Sequence, residues 1–302
     1  MSEGVIGQLL NQPRTELAEL YLGQGETLCA VIDQARQPDA LARLYGLGQP
    51  LDPISLFVGT EFNALAQQGP IWVSGINTPE LKAVVTDLCL ERNAGICVVT
   101  NDQQQALQHA RWLLKVNDGS GGQSLLNYYR PSLWAALATT SRQNLSWLTG
   151  AWAYVLSPAP KKLGQSAARW IAWHVGDKAA LAPAETCFTL PTETAQLQRQ
   201  LGLVYWVAEH YAAFGAPSQS ELRGLTDNLS ILIDHHITQG RHLLRLSKIV
   251  AGSILEERPQ IMAILQSQEL PFKKVEQLEL LGVEPLNSAA NVKDEWSQYG
   301  TW

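Results

Sequence analysis

Residues 106–137 read ALQHARWLLKVNDGSGGQSLLNYYRPSLWAAL. Leu107, Ala110 and Leu114 recur at the spacing of one helical face, which predicts a helix over 106–116. Asn117-Asp118-Gly119-Ser120-Gly121-Gly122 stops it, because glycine reaches positive φ without a Cβ clash and Asn and Asp tolerate it. The apolar and aromatic run 125–129 has the length of a short strand. Pro131 ends that run and suits the first turn of a second helix, where its missing N–H costs nothing. That helix carries Leu133, Trp134 and Leu137. Helix, turn, strand and helix in one short stretch set the pattern for the first half of the chain.

The same alternation extends upstream. Leu28-Cys29-Ala30-Val31-Ile32 is a continuous apolar run, the signature of a strand covered on both faces, and Asp33 follows it directly. Residues 38–45 read as a short helix through Leu41, Leu44 and Tyr45. A second apolar run occupies 54–60, and the Thr60 hydroxyl is placed to cap a helix over 61–67. Gly69-Pro70 breaks that helix ahead of the strand Ile71-Trp72-Val73-Ser74. Thr78 and Pro79 then start a helix through Leu81, Val84, Val85, Leu88 and Leu90. A strand over 95–100 follows, with Asn101 or Asp102 capping the next helix. Downstream, the apolar runs 147–156 and 169–175 flank a loop and suggest an antiparallel addition to the sheet edge. Repeated alternation of this kind favours a sheet flanked by helices.

These motifs carry a resemblance. A strand closing on two aromatics, a charged residue, proline and an apolar helix (Tyr128-Tyr129-Arg130-Pro131 through Trp134) resembles the effector adaptor/chaperone family of bacterial type VI secretion. That family has Arg before the two aromatics and Asp after them; here Asn127 and Arg130 hold those places. Two further features are similar to the family: a strand ending in an acid, as at Asp33, and an apolar segment followed by Gly69-Pro70 and a Trp-containing strand, as at Trp72. The resemblance spans 27–156. It implies a cytoplasmic, non-enzymatic protein of a Gram-negative bacterium that binds one secreted effector and helps load it onto the spike protein VgrG. It also implies that the motif residues are mainly structural.

After Pro183 the pattern changes to helices. Leu201, Val204, Tyr205, Ala208, Tyr211 and Ala212 share one face, while Trp206, Val207, His210 and Phe214 fall on others, so the helix is apolar nearly all round and buried on several sides. Leu222, Leu225, Leu229, Leu232, Ile233 and His236 continue at helical spacing, which puts His236 on the leucine face as a core histidine. Two shorter helices follow, and the stretch from Pro271 is weakly specified. The expected fold class is α+β: an α/β lobe over 1–180 with a mixed sheet flanked by helices, and an all-helical lobe over 181–302.

The totals narrow the function. The chain has 302 residues, enough for one large or two ordinary domains, and 46% are hydrophobic. A net charge of −6 argues against nucleic acid, whose affinity rests on clustered Lys and Arg. Only 17% of residues are charged, below the usual quarter or so, alongside ten Trp and eight Tyr; Trp206, Tyr211 and Phe214 are therefore candidate effector-facing aromatics, weighed against a plain core role. Cys29, Cys89, Cys97 and Cys187 lack metal spacing and read as buried thiols in a reducing compartment. Met1–Leu10 has no basic region, and no apolar run approaches the roughly 18–20 residues of a membrane span, so neither a secretory signal nor membrane insertion is expected.

No phosphate loop, zinc helix, nucleophile elbow or dinucleotide fingerprint is present in the sequence. His235 and His236 are neighbours that point about 100° apart on a helix and do not share a metal easily. Neither catalytic, cofactor nor metal residues are expected. Two rival readings remain: a hydrolase-like enzyme with a dispersed site using Asp33 or Asp118, and a structural subunit of a larger complex.

Overall fold

The computed structural model describes residues 4–117, 121–141, 145–164, 166–174 and 187–281. Asp118, one of the two rival catalytic acids, lies outside them. The described residues form two units by contact. One takes in those between Gln12 and Ala159 and between Ser166 and Gln198; the other takes in those up to Asn11, 160–164, and those from Arg199 on.

The first unit is built on a seven-stranded antiparallel sheet. Its strands are β1 (Arg14–Thr15), β2 (Thr27–Ile32), β3 (Ile54–Ser55), β4 (Ile71–Val73), β5 (Gly95–Thr100), β8 (Trp152–Pro158) and β9 (Trp170–His174). They lie in the order β1-β9-β8-β5-β2-β4-β3. The run 28–32 is central, pairing Ala30 with Cys97 on one side and with Val73 on the other. All five of its residues are buried, as expected of a strand covered on both faces. The antiparallel addition places β8 inside the sheet against β5, with β9 beyond it. Mixed strand direction is confined to a second sheet of β6 (Lys115–Asn117), β7 (Gln123–Leu125) and β10 (Phe188–Thr189), in which β10 runs parallel to β6 and β7 antiparallel.

The 106–137 stretch differs from its sequence reading in two respects. The helix is α4 (Gln103–Trp112), and 115–117 leaves it to pair with 123–125 as a hairpin. A Lys-Val-Asn run before a glycine turn serves either a helix end or a strand; pairing with a partner strand decides. The segment 126–129, read with Leu125 as a strand, is the loop that carries the tyrosines into α5 (Pro131–Thr140), and α6 (Leu145–Thr149) comes next among the helices. Residues 61–67 form turns around a short 3-10 helix, Asn63–Leu65. The Thr60 hydroxyl accepts from the Phe62 amide at 3.1 Å and donates to the Phe57 carbonyl at 2.7 Å, so it stabilises a turn.

One sheet face presents Leu28, Ala30, Ile32, Ile71, Val73, Cys97, Val99, Leu156 and Trp170. It packs with Ala40 and Leu44 of α2 (Ala40–Tyr45) and Leu81, Val85 and Leu88 of α3 (Pro79–Glu91). The other side is aromatic. Trp152 lies 5.8 Å from Tyr128, 5.9 Å from Trp134 and 4.8 Å from His109, ring centre to ring centre. Its indole N–H donates to the Ala106 carbonyl at 3.2 Å. The four cysteines are buried and free. Burial pushes the Cys29 thiol up to about 12, so it stays protonated at any physiological pH.

The second unit is helical: α1 (Val5–Leu10), most of α7 (Thr194–Glu209), α8 (Leu222–Asp234), α9 (Gly240–Arg245), α10 (Ser247–Val250), α11 (Pro259–Leu265) and α12 (Pro271–Leu280). Residues 201–208 are buried without a break, which fits an all-round apolar helix. The weakly specified stretch from Pro271 begins with a real helix, α12, whose Val275 and Leu278 are buried. His236 is not on the leucine face. α8 ends at Asp234, and His236 turns out into solvent with φ 69°, letting the Ile237 amide reach the Leu232 carbonyl. No described helix is long and apolar enough to cross a membrane.

Candidate functional site

The family-like motif residues meet where β2 ends. The Asp33 amide donates to the Ala94 carbonyl at 2.6 Å, and its own carbonyl accepts from Arg36 and Gln37. Its carboxylate accepts from the Ala35 amide at 3.1 Å through Oδ1 and from Arg130 Nε at 3.3 Å through Oδ2. Asp33 is 2% exposed, so this is a buried ion pair. Arg130 sits at the start of α5 with extended backbone, as a residue before proline must. Two acids or two bases cannot stably share such a site, and one of each does. The Asn127 side chain takes the phenol of Tyr129, whose O–H donates to Oδ1 at 2.7 Å. Burial first, then the neighbouring Asp33 charge, raise the Tyr129 pKa, so the phenol is a permanent donor. Tyr128 is fully buried and donates to the Ala110 carbonyl at 3.0 Å.

Further charges brace the same end of the sheet. Arg36 Nη1 donates to the carbonyls of Arg92 and Asn93 at 3.2 and 3.0 Å, and Arg92 Nη1 returns a bond to the Arg36 carbonyl at 3.0 Å. Gln37 and Arg43 both donate to Glu91 Oε2, at 2.9 and 2.8 Å. Sequence reasoning missed Arg36. Its role depends on the turn at 92–94, and the one local signal is Asn93, which adopts φ 48° where asparagine is tolerated.

Gly69 and Pro70 are buried beside the β3–β4 connection. The Pro70 carbonyl accepts from Leu56 at 2.9 Å, and the Gly69 carbonyl from Gln34 Nε2 at 2.9 Å. A Cβ on Gly69 would come within 2.4 Å of the Phe57 ring, so glycine is there to admit that ring. Trp72 is 1% exposed and pairs with Val31 and Ile54. Asp33, Gly69, Pro70, Trp72, Tyr128, Tyr129, Pro131 and Trp134 are buried, and Arg130 is bound to Asp33, so these motif positions are packed into the unit. Asp33 is 2% exposed, and each of its carboxylate oxygens is engaged within the protein.

The three candidate effector-facing aromatics divide. Trp206 is 1% exposed and packs on His210 and Phe214, with ring centres 4.8 and 5.4 Å away. Phe214 is also buried, but it borders a groove of about 230 Å³ formed with Pro217, Gly224, Leu225, Gly252 and the exposed Ile254. Tyr211 is half-buried, and Lys162 Nζ stands 5.8 Å from its ring centre. Among the described residues, no group of three His, Cys, Asp or Glu side chains is placed to hold a metal ion.

No curated protein and no solved structure matches the chain. Residues 28–146, which hold all the motif positions named above, match the sequence model of a domain of unknown function, DUF4123.

Proposed function

We propose that this protein is an adaptor of type VI secretion: a non-enzymatic cytoplasmic chaperone that binds one secreted effector and helps load it onto the VgrG spike. The observation that carries this reading is the match of residues 28–146 to DUF4123, a domain compatible with such a role, over the stretch that holds the family-like motifs. The construction of that stretch supports it. The motif residues face inward, as expected of a scaffold that presents other surfaces to its partners. An adaptor of this kind uses apolar anchors rimmed by polar groups. In the helical unit, Tyr211 and the groove bordered by Phe214 and Ile254 offer such a surface, with Trp206 behind it as support.

Deleting the gene from its host tests the reading through secretion. Delivery of one effector should fall to background while the secretion apparatus still fires and other effectors are exported. Unchanged export of every effector would contradict it.

A further inference from the structure

A second concave site lies on α3, away from the Asp33 cluster. It encloses about 240 Å³ between the helix stripe Pro79, Lys82, Ala83, Thr86 and Asp87 and the facing Ala18 and Arg169. Stripe positions three and four apart share one helix face, so these side chains open into the same space. Thr86 is 5% exposed, and among the described residues its hydroxyl has no hydrogen-bond partner. Its oxygen is not among the buried unpaired atoms, so it reaches the solvent of the cavity and is free to donate to a ligand atom there. Lys82 Nζ is likewise without a partner among the described residues. Arg169 is held by Glu16, which accepts from Nε and Nη2 at 2.8–3.2 Å, and this leaves Nη1 uncommitted. Asp87, the acid of the lining, stands 3.9 Å from Arg43 Nη2, and its charge also acts on Arg169. The walls are apolar: Pro79, Ala83 and Ala18.

Three uncommitted donors and short apolar walls describe the complement of one ligand type. We propose that this pocket binds a carboxylate on a short aliphatic stem, the size of a glutamate side chain. Lys82 and Arg169 Nη1 would take the carboxylate, Thr86 Oγ1 would donate to one of its oxygens, and Ala18, Pro79 and Ala83 would cover the stem. The inference does not rest on the adaptor reading. The carboxylate could belong to a free dicarboxylic acid or to an acidic side chain of a bound protein.

The test is a titration of the full chain with glutarate, followed by amide NMR shifts and compared with sodium chloride at equal ionic strength. The expected result is saturable shifts at Ala18 and along 79–87. They should weaken about tenfold in Lys82→Met, the size of a lost charge-assisted hydrogen bond, and should also weaken in Thr86→Val. Shifts that are linear, that match those of chloride, or that persist unchanged in Lys82→Met would overturn the proposal. A second arm separates the sources. If a copurified protein partner fills the pocket, glutarate no longer shifts these amides in the complex; if the ligand is a free acid, the response is the same with and without the partner.

Discussion

At the residue scale, buried polar side chains fix the geometry where β2 ends. Asp33 places one carboxylate oxygen on a backbone amide and the other on Arg130. Removing the charge while keeping the shape, as in Asp33→Asn, leaves Arg130 facing a neutral amide. We expect a loss of about 2–3 kcal/mol in unfolding free energy, measured by denaturant titration. Gly69 gives a steric counterpart. Gly69→Ala drives a methyl into the Phe57 ring and should cost about 1–3 kcal/mol, and Phe57→Leu in the same chain should recover part of it. Thr86→Val should leave thermal stability equal to or above that of the unmodified protein, because the hydroxyl makes no hydrogen bond among the described residues.

At the element scale, helix starts were the most legible feature of the sequence. Thr78 accepts from the Leu81 amide at 3.2 Å with Pro79 at the first helical position, and Asp102 accepts from Gln105 at 3.0 Å. Such caps act within one turn, so a local pattern reveals them. Thr78→Ala should therefore cost about 1 kcal/mol of stability by thermal or denaturant unfolding. Strand direction was less legible. The run 28–32 correctly reported burial on both faces, but a side chain's burial says nothing of whether its neighbour runs with or against it. The hairpin 115–117/123–125 was hidden for the same reason: its identity lies in a partner strand. Arg130 shows both limits in one residue. Its place before Pro131 was visible, while its partner Asp33 lies 97 positions away and emerges only when β2 and α5 are brought together. Trp206 and Phe214 were visible as aromatics, and only packing shows that their rings are internal.

At the scale of the whole molecule, acid sensitivity follows from several surface carboxylates. Burial pushes Glu16 up, but hydrogen bonds and charge from Arg169 outweigh it, so its folded pKa lies below the ordinary 4.5. The Arg43 hydrogen bond leads the lowering of Glu91, and Ser218 leads that of Glu221. A group depressed in the folded state contributes fully above its unfolded pKa and loses that contribution as pH falls through its folded one. Asp227, raised chiefly by burial, runs the other way. With three groups against one among the described residues, the melting temperature should hold steady at neutral pH and fall below about pH 4.5, and Arg169→Gln should flatten part of that fall.

The adaptor reading itself is tested most directly by affinity capture of the tagged protein from its native host, with mass spectrometry of the bound fraction. It predicts one toxin-like secreted protein in near-stoichiometric yield, with or without VgrG. Reproducible recovery of the chain alone would contradict it.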